Sequence, residues 1–196
     1  FDRRVIEALR QPLEDKIVTV ARARASETFP ANFILIVAMN PCPCGNFNTS
    51  KHCTCTPHAQ QQYARKLSGP IIDRIDMWIK VDQIQYEKLS DTAPTDTTAE
   101  MHKRITKARD FQKHRFTEHK KMHTNSDMDA KTLPLCAPLS PTSQTILNTA
   151  STKLGLSPRV YHRIIKVART IADLDDAEHI KDDHILEALQ YRQNLK

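Results

Sequence analysis

Seven consecutive apolar residues, Phe33–Met39, closed by Asn40-Pro41, restrict this chain more than any other feature. A run with no polar alternation suits a strand buried on both faces, as in the parallel sheets of α/β folds. It is far too short to span a bilayer, which takes about 20 residues. The flanking segments fit the same class. Residues 2–14 read as a helix, because Val5, Ile6, Leu9 and Leu13 recur at helical spacing against Arg3, Arg4 and Arg10. Ile17–Ala23 alternates like a strand, His58–Leu67 reads as a helix that Gly69-Pro70 breaks, and Met77–Ile84 reads as a further strand.

Beyond Asp91–Asp96, a linker by composition, only helical patterns remain. Thr97 and Glu100 have the spacing of a capping box, in which each side chain satisfies an orphan amide of the other residue. Ser140-Pro141 and Ser157-Pro158 each put a hydroxyl at the N-cap and a proline in the first turn. A last helix begins near Asp182, with Ile185, Leu186 and Leu189 on its apolar stripe. The expected architecture is part of an α/β core with a parallel sheet over residues 1–90, a linker at 91–96, and an all-α helical bundle over 97–196.

Apolar residues make up 39% and charged residues 27%, ordinary for a cored globular protein. No charged stretch followed by an apolar core opens the chain, so no secretory signal is read, and a cytoplasmic location without membrane association is expected. The first residue is Phe1, inside a predicted helix, which suggests a piece of a longer protein. The net charge of +6 permits nucleic-acid binding. Arg22 and Arg24, then Lys103, Arg104, Lys107 and Arg109, are the candidate cations, although basic residues also populate ordinary solvated helix faces.

Four of the five cysteines fall in one loop as C-x-C-x₈-C-x-C: Cys42, Cys44, Cys53 and Cys55. Four thiolates can close a tetrahedral structural zinc site, with His52 and His58 as substitute ligands; a reduced, metal-free loop is the competing reading. Cys136 is expected to pack in the bundle. Three polar residues carry the remaining chemistry. Asn40 follows the apolar run, where ligands of an open parallel sheet gather, though Asn-Pro also starts ordinary turns. Arg74 sits among apolar residues after the Gly69-Pro70 break, and Asp73 or Asp76 could simply pair with it. Arg159 lies in the first turn of its helix, where the macrodipole disfavours a cation by about 0.3–1 kcal/mol.

Several segments in order resemble one family: Phe1–Asp15, Phe29–Phe33, Ala38–Gly45, Leu67–Asp76 and Val167–Asp173 are similar to the magnesium-chelatase-like AAA+ ATPases of the ComM/YifB type. That resemblance implies sensor 1 at Asn40, an arginine finger acting on the neighbouring subunit at Arg74, and sensor 2 at Arg159, with ATP and Mg²⁺ as cofactors of the full-length protein. It also implies a self-assembled hexameric ring and DNA remodelling, as helicase or branch-migration motor in natural transformation. An ATPase driving metal insertion into a porphyrin is the alternative; an inactive fragment is a third. The phosphate-binding pattern G-x-x-x-x-G-K-[ST] does not occur, since the only glycines are Gly45, Gly69 and Gly155. No apolar strand ending in Asp-Glu supplies a magnesium ligand either. The chain alone is therefore expected not to hydrolyse ATP.

Overall fold

A computed structural model describes residues 1–81 and 97–192, so the expected 91–96 linker lies outside the described residues. The chain divides into two compact units: Phe1–Ile75, and Asp76–Lys80 together with the described residues from Thr97 onward.

In the first unit the opening helix comes in two pieces, α1 (Arg3–Ala8) and α2 (Arg10–Asp15), rather than the single helix read over 2–14. Pro12 explains the pause at Leu9: it has no N–H for the carbonyl four residues back, and its ring crowds that carbonyl. Lys16 takes left-handed backbone at φ 57°, which ends α2 and turns the chain into an antiparallel hairpin. Strands β1 (Ile17–Arg22) and β2 (Ala25–Pro30) pair from Ile17 with Pro30 to Arg22 with Ala25. The Ala31 N–H donates to the Lys16 carbonyl at 2.7 Å and closes the base.

The expected parallel sheet is not formed by the described residues: their only sheet is this antiparallel hairpin. Residues 33–39 have no strand partner among the described residues, and Ile34 and Ile36 are 86% and 89% exposed. A strand of that composition needs ladder partners on its edges and packed layers on its faces, and no described element supplies them. The segment 77–81 is not a strand either; the Trp78 N–H donates instead to the Tyr191 carbonyl at 2.7 Å.

Two short helices complete the unit. In α3 (Pro57–Ala64) Thr56 is the N-cap, its hydroxyl accepting from the Ala59 amide at 3.2 Å. In α4 (Gly69–Ile72) Ser68 caps the Ile71 amide, and Pro70 sits in the first turn where its missing N–H costs nothing. Gly69-Pro70 thus starts a helix as well as ending a segment.

The second unit is helical: α5 (Thr98–Arg115), a 3₁₀ turn at Asn125–Asp127, α6 (Leu133–Cys136), α7 (Pro141–Leu154), α8 (Pro158–Leu174) and α9 (Asp182–Gln190). The Thr97–Glu100 capping box is present, and Ser140 and Ser157 cap α7 and α8. Helix α8 is central, packing against α5, α6, α9 and the 3₁₀ turn. Its buried stripe of Val160, Ile164, Ala168, Ile171 and Ala172 follows the helical repeat and meets Leu147 and Ile185. Cys136 packs at the edge of this core, and burial raises its thiol pKa. No helix among the described residues is long and apolar enough to cross a membrane.

Candidate functional site

The structure brings Asn40 and the cysteine loop together. Cys42 is two residues beyond Asn40 and only 1% exposed. The chain turns back at Gly45, whose amide donates to the Cys42 carbonyl at 3.0 Å. At φ +81° this position requires glycine, and a Cβ there would lie 3.7 Å from the Asn40 side-chain nitrogen. The return limb delivers Cys53 and Cys55, and the helix cap Thr56 follows at once. The sulfurs of Cys42, Cys44, Cys53 and Cys55 all lie within 4.8 Å of one another. Neither His52 nor His58 joins them, so among the described residues the donor set is four cysteines.

Crowding makes Cys42, Cys44 and Cys55 unequal. Cys44 is lowered to about 5, chiefly by the Asn46 amide, against the opposing effect of burial. At Cys42 desolvation resists ionisation, yet the Phe47 amide and the thiols of Cys53 and Cys55 lower its pKa overall. At Cys55 the Cys44 amide favours the thiolate, but desolvation and the neighbouring Cys44 and Cys42 push it up to about 12. Cys44 and Cys55 are thus driven in opposite directions within one cluster. A central cation would remove that conflict by compensating all four thiolates.

Helix α3 contacts both parts of this region. Tyr63 Oη donates to the Asn40 carbonyl at 3.0 Å, and Gln60 Nε2 reaches Cys53 Sγ at 3.5 Å. Sequence reasoning missed these two residues. Their signal was present, because Thr56-Pro57 starts a helix and residues 60 and 63 share a face at i, i+3 spacing.

Arg74 follows α4 and its side chain is 9% exposed. One guanidinium nitrogen donates to the Pro70 carbonyl at 2.8 Å. Nε lies 3.0 Å from Glu14 Oε2 but lacks hydrogen-bond alignment, so this contact is an ion pair only. The structure pairs Arg74 with Glu14 on α2, a partner the sequence did not offer. Asp76 instead pairs with Arg163 of α8 in the helical unit. Glu14 carried no sequence signal, since only tertiary packing brings α2 to α4.

Arg159 belongs to the helical unit, exposed in the first turn of α8 directly after Ser157-Pro158. Of the basic runs, Arg22 and Arg24 flank the tip of the β1–β2 hairpin, exposed and without an ion pair among the described residues. The α5 run is partly compensated: Lys107 pairs with Asp176 at 2.6 Å and Arg104 with Asp175 at 3.8 Å.

Comparison with known proteins gives a consistent result. The family model described as magnesium chelatase, subunit ChlI, matches residues 1–89, and the model of the subunit ChlI C-terminal region matches residues 95–192. Competence protein ComM of Haemophilus influenzae is 39% identical over 193 residues, covering 98% of this chain and 37% of that protein. The uncharacterized protein YifB of Escherichia coli is 36% identical over the same shares. The chain therefore spans 37% of the length of these curated relatives.

Proposed function

Because the chain belongs to the family of magnesium chelatase subunit ChlI, we propose that it is the sensor-and-lid part of a ring-forming AAA+ ATPase that remodels DNA. Arg159 carries the nucleotide half of this reading. Arg159 stands exposed in the first turn of α8, where the helix N-terminus also favours an incoming anion such as a nucleotide phosphate. In the proposed scheme Asn40 orients the attacking water through its neutral amide, and Arg159 neutralises phosphate charge from the lid. Arg74 supplies the finger to the next subunit. ATP and Mg²⁺ are held by residues outside this chain, which contains no G-x-x-x-x-G-K-[ST] pattern. Phosphoryl transfer depends on positioning and charge neutralisation, for which such a trio is suited.

The hairpin supports DNA as the object of the work. Arg22 and Arg24 beside a solvent-exposed turn can meet phosphates without first breaking an ion pair. Cytoplasmic location and a hexameric ring belong to the same proposal. The ChlI family name favours a rival, ATP-driven metal insertion, but the residues identified here include none that would recognise a porphyrin.

The test uses the full-length protein with nucleotide, on forked and single-stranded DNA across a salt series. Phosphate contacts predict that log affinity falls with log salt by about 0.7–0.9 per neutralised phosphate. Arg22→Glu with Arg24→Glu should weaken binding to all sequences alike, because backbone contacts carry no base information. Binding that ignores salt and survives reversal of both basic runs would rule out this DNA interface.

A further inference from the structure

We propose that Cys42, Cys44, Cys53 and Cys55 bind one zinc ion, and that this centre fixes the peptide carrying Asn40. Four sulfurs about 2.3 Å from a tetrahedral zinc lie roughly 3.8 Å from one another. The sulfurs stand at 3.4 Å for Cys42–Cys44, 3.6 Å for Cys44–Cys53 and 3.8 Å for Cys42–Cys53. A disulfide holds its sulfurs at about 2.05 Å, so these pairs have the spacing of ligands around a shared ion. N–H groups converge on the same atoms. The Phe47 amide donates to Cys42 Sγ at 3.3 Å, the Cys44 amide to Cys55 Sγ at 3.4 Å, and Gln60 Nε2 to Cys53 Sγ. Donors of this kind orient metal-bound thiolates and offset their charge. A set of four thiolates leaves no open position for substrate, so the ion is structural and of the soft, thiophilic class.

The second half follows from what the loop touches, and it rests on reading Asn40 as the nucleotide sensor. Cys42 anchors the chain two residues after Asn40. Gly45 turns the metal loop back beside Asn40, where a Cβ would lie 3.7 Å from the Asn40 side-chain nitrogen, and α3, which begins two residues after Cys55, holds the Asn40 carbonyl through Tyr63. The peptide at Asn40 is therefore gripped from both limbs of the loop. Asn40 itself has no buried strand beneath it among the described residues, so the loop is the local source of its position. Tyr63 is a positioning residue, acting through Asn40.

Elemental analysis of protein purified without chelators should find about one zinc per chain. Cobalt(II) in its place should give the ligand-field absorption of a tetrahedral thiolate site. Cys44→Ser with Cys55→Ser should lose both signals, while Cys136→Ser, a change at the helical core, keeps both. Wild-type protein with neither signal overturns the centre. Since a cysteine variant can fail to fold, the positioning half is tested with Tyr63→Phe, which leaves every sulfur in place. In the full-length protein it should keep its zinc and its nucleotide affinity while kcat for ATP falls roughly 2- to 10-fold, the worth of one lost hydrogen bond. Asn40→Ala separates the two readings. Zinc retained with hydrolysis lost supports both. Zinc retained with normal hydrolysis removes the sensor role, and the positioning half with it, but leaves the metal centre standing. Wild-type kcat in Tyr63→Phe, with Asn40→Ala inactive, overturns positioning alone.

Discussion

Asp173 is buried at the C-terminal end of α8 and ties that helix to α5 and the 3₁₀ turn through one carboxylate. Arg115 of α5 meets it with two bonds at 2.5 and 2.9 Å, Arg169 lies at 3.0 Å, and Asn125 donates to it at 2.7 Å. Arg169 also donates to the carbonyls of Ala177 and Glu178, so the guanidinium is shared with the turn leading toward α9. Burial alone would raise the Asp173 pKa, but the bonds from Arg115 and Asn125 and the charge of Arg169 lower it overall. Asp173→Ala would leave buried Arg169 without its counter-charge, at a cost of about 3–5 kcal/mol, measured by urea unfolding of the helical unit. Because the folded pKa is depressed, this stabilisation is complete above the unfolded value of about 3.9 and fades as pH falls through the lower folded value. A thermal-melt series on Asp173→Asn should show a shallower decline in that acid range than wild type; equal slopes would assign the acid sensitivity elsewhere. The segment Val167–Asp173 stood out in the sequence, but its bonds did not. Arg115 and Asn125 are 58 and 48 residues away, and no local pattern encodes such a pairing.

The helices of the second unit and the apolar run of the first show which elements a sequence can reveal. Caps are local, so Ser140-Pro141, Ser157-Pro158 and Thr97–Glu100 were readable as helix starts, and each is observed. The α9 stripe was readable for the same reason, since its period is that of its own helix: Ile185 is buried and Leu189 packs on the core, while Leu186 faces solvent. Leu147, from the facing helix α7, is fully buried against this core. Leu147→Ala should therefore cost about 2–5 kcal/mol, read from the shift in denaturation midpoint. A sheet is different, because a strand's structure is completed by its neighbours. Phe33–Met39 has the composition of an interior strand, yet no described residue pairs with it, and β2 went unrecognised because Ala25–Pro30 alternates weakly. The cysteine spacing likewise marked the four-thiol cluster but not Tyr63 against Asn40. If neighbouring strands from a longer protein cover the apolar run, its amides should exchange with deuterium rapidly in the 196-residue chain and slowly in the full-length protein. Equally fast exchange in both would show that the run is not an interior strand.

At the scale of the whole molecule the finger assignment makes a demand that one subunit cannot meet. A finger must leave its own subunit to reach the nucleotide of the next, yet Arg74 here is nearly buried, paired with Glu14 and bonded to the Pro70 carbonyl. In a ring that arginine would exchange Glu14 for the more concentrated negative charge of a phosphate, with which a guanidinium makes strong paired bonds. Hydrolysis would then depend on assembly, because the nucleotide and its finger lie on different chains. Arg74→Ala in the full-length protein is expected to bind ATP with near-normal affinity and to lose about 10³-fold or more in turnover. The decisive measurement mixes this variant with a second one whose own phosphate-binding loop is disabled. Each is inactive alone, but mixed rings contain interfaces where an intact nucleotide site meets an intact Arg74, so some turnover should return in proportion to such interfaces. Mixed rings that assemble, as seen by light scattering, but recover no hydrolysis would mean that Arg74 acts within its own subunit. The ion pair with Glu14 would then be a fixed structural contact, and the finger would have to be sought on another element.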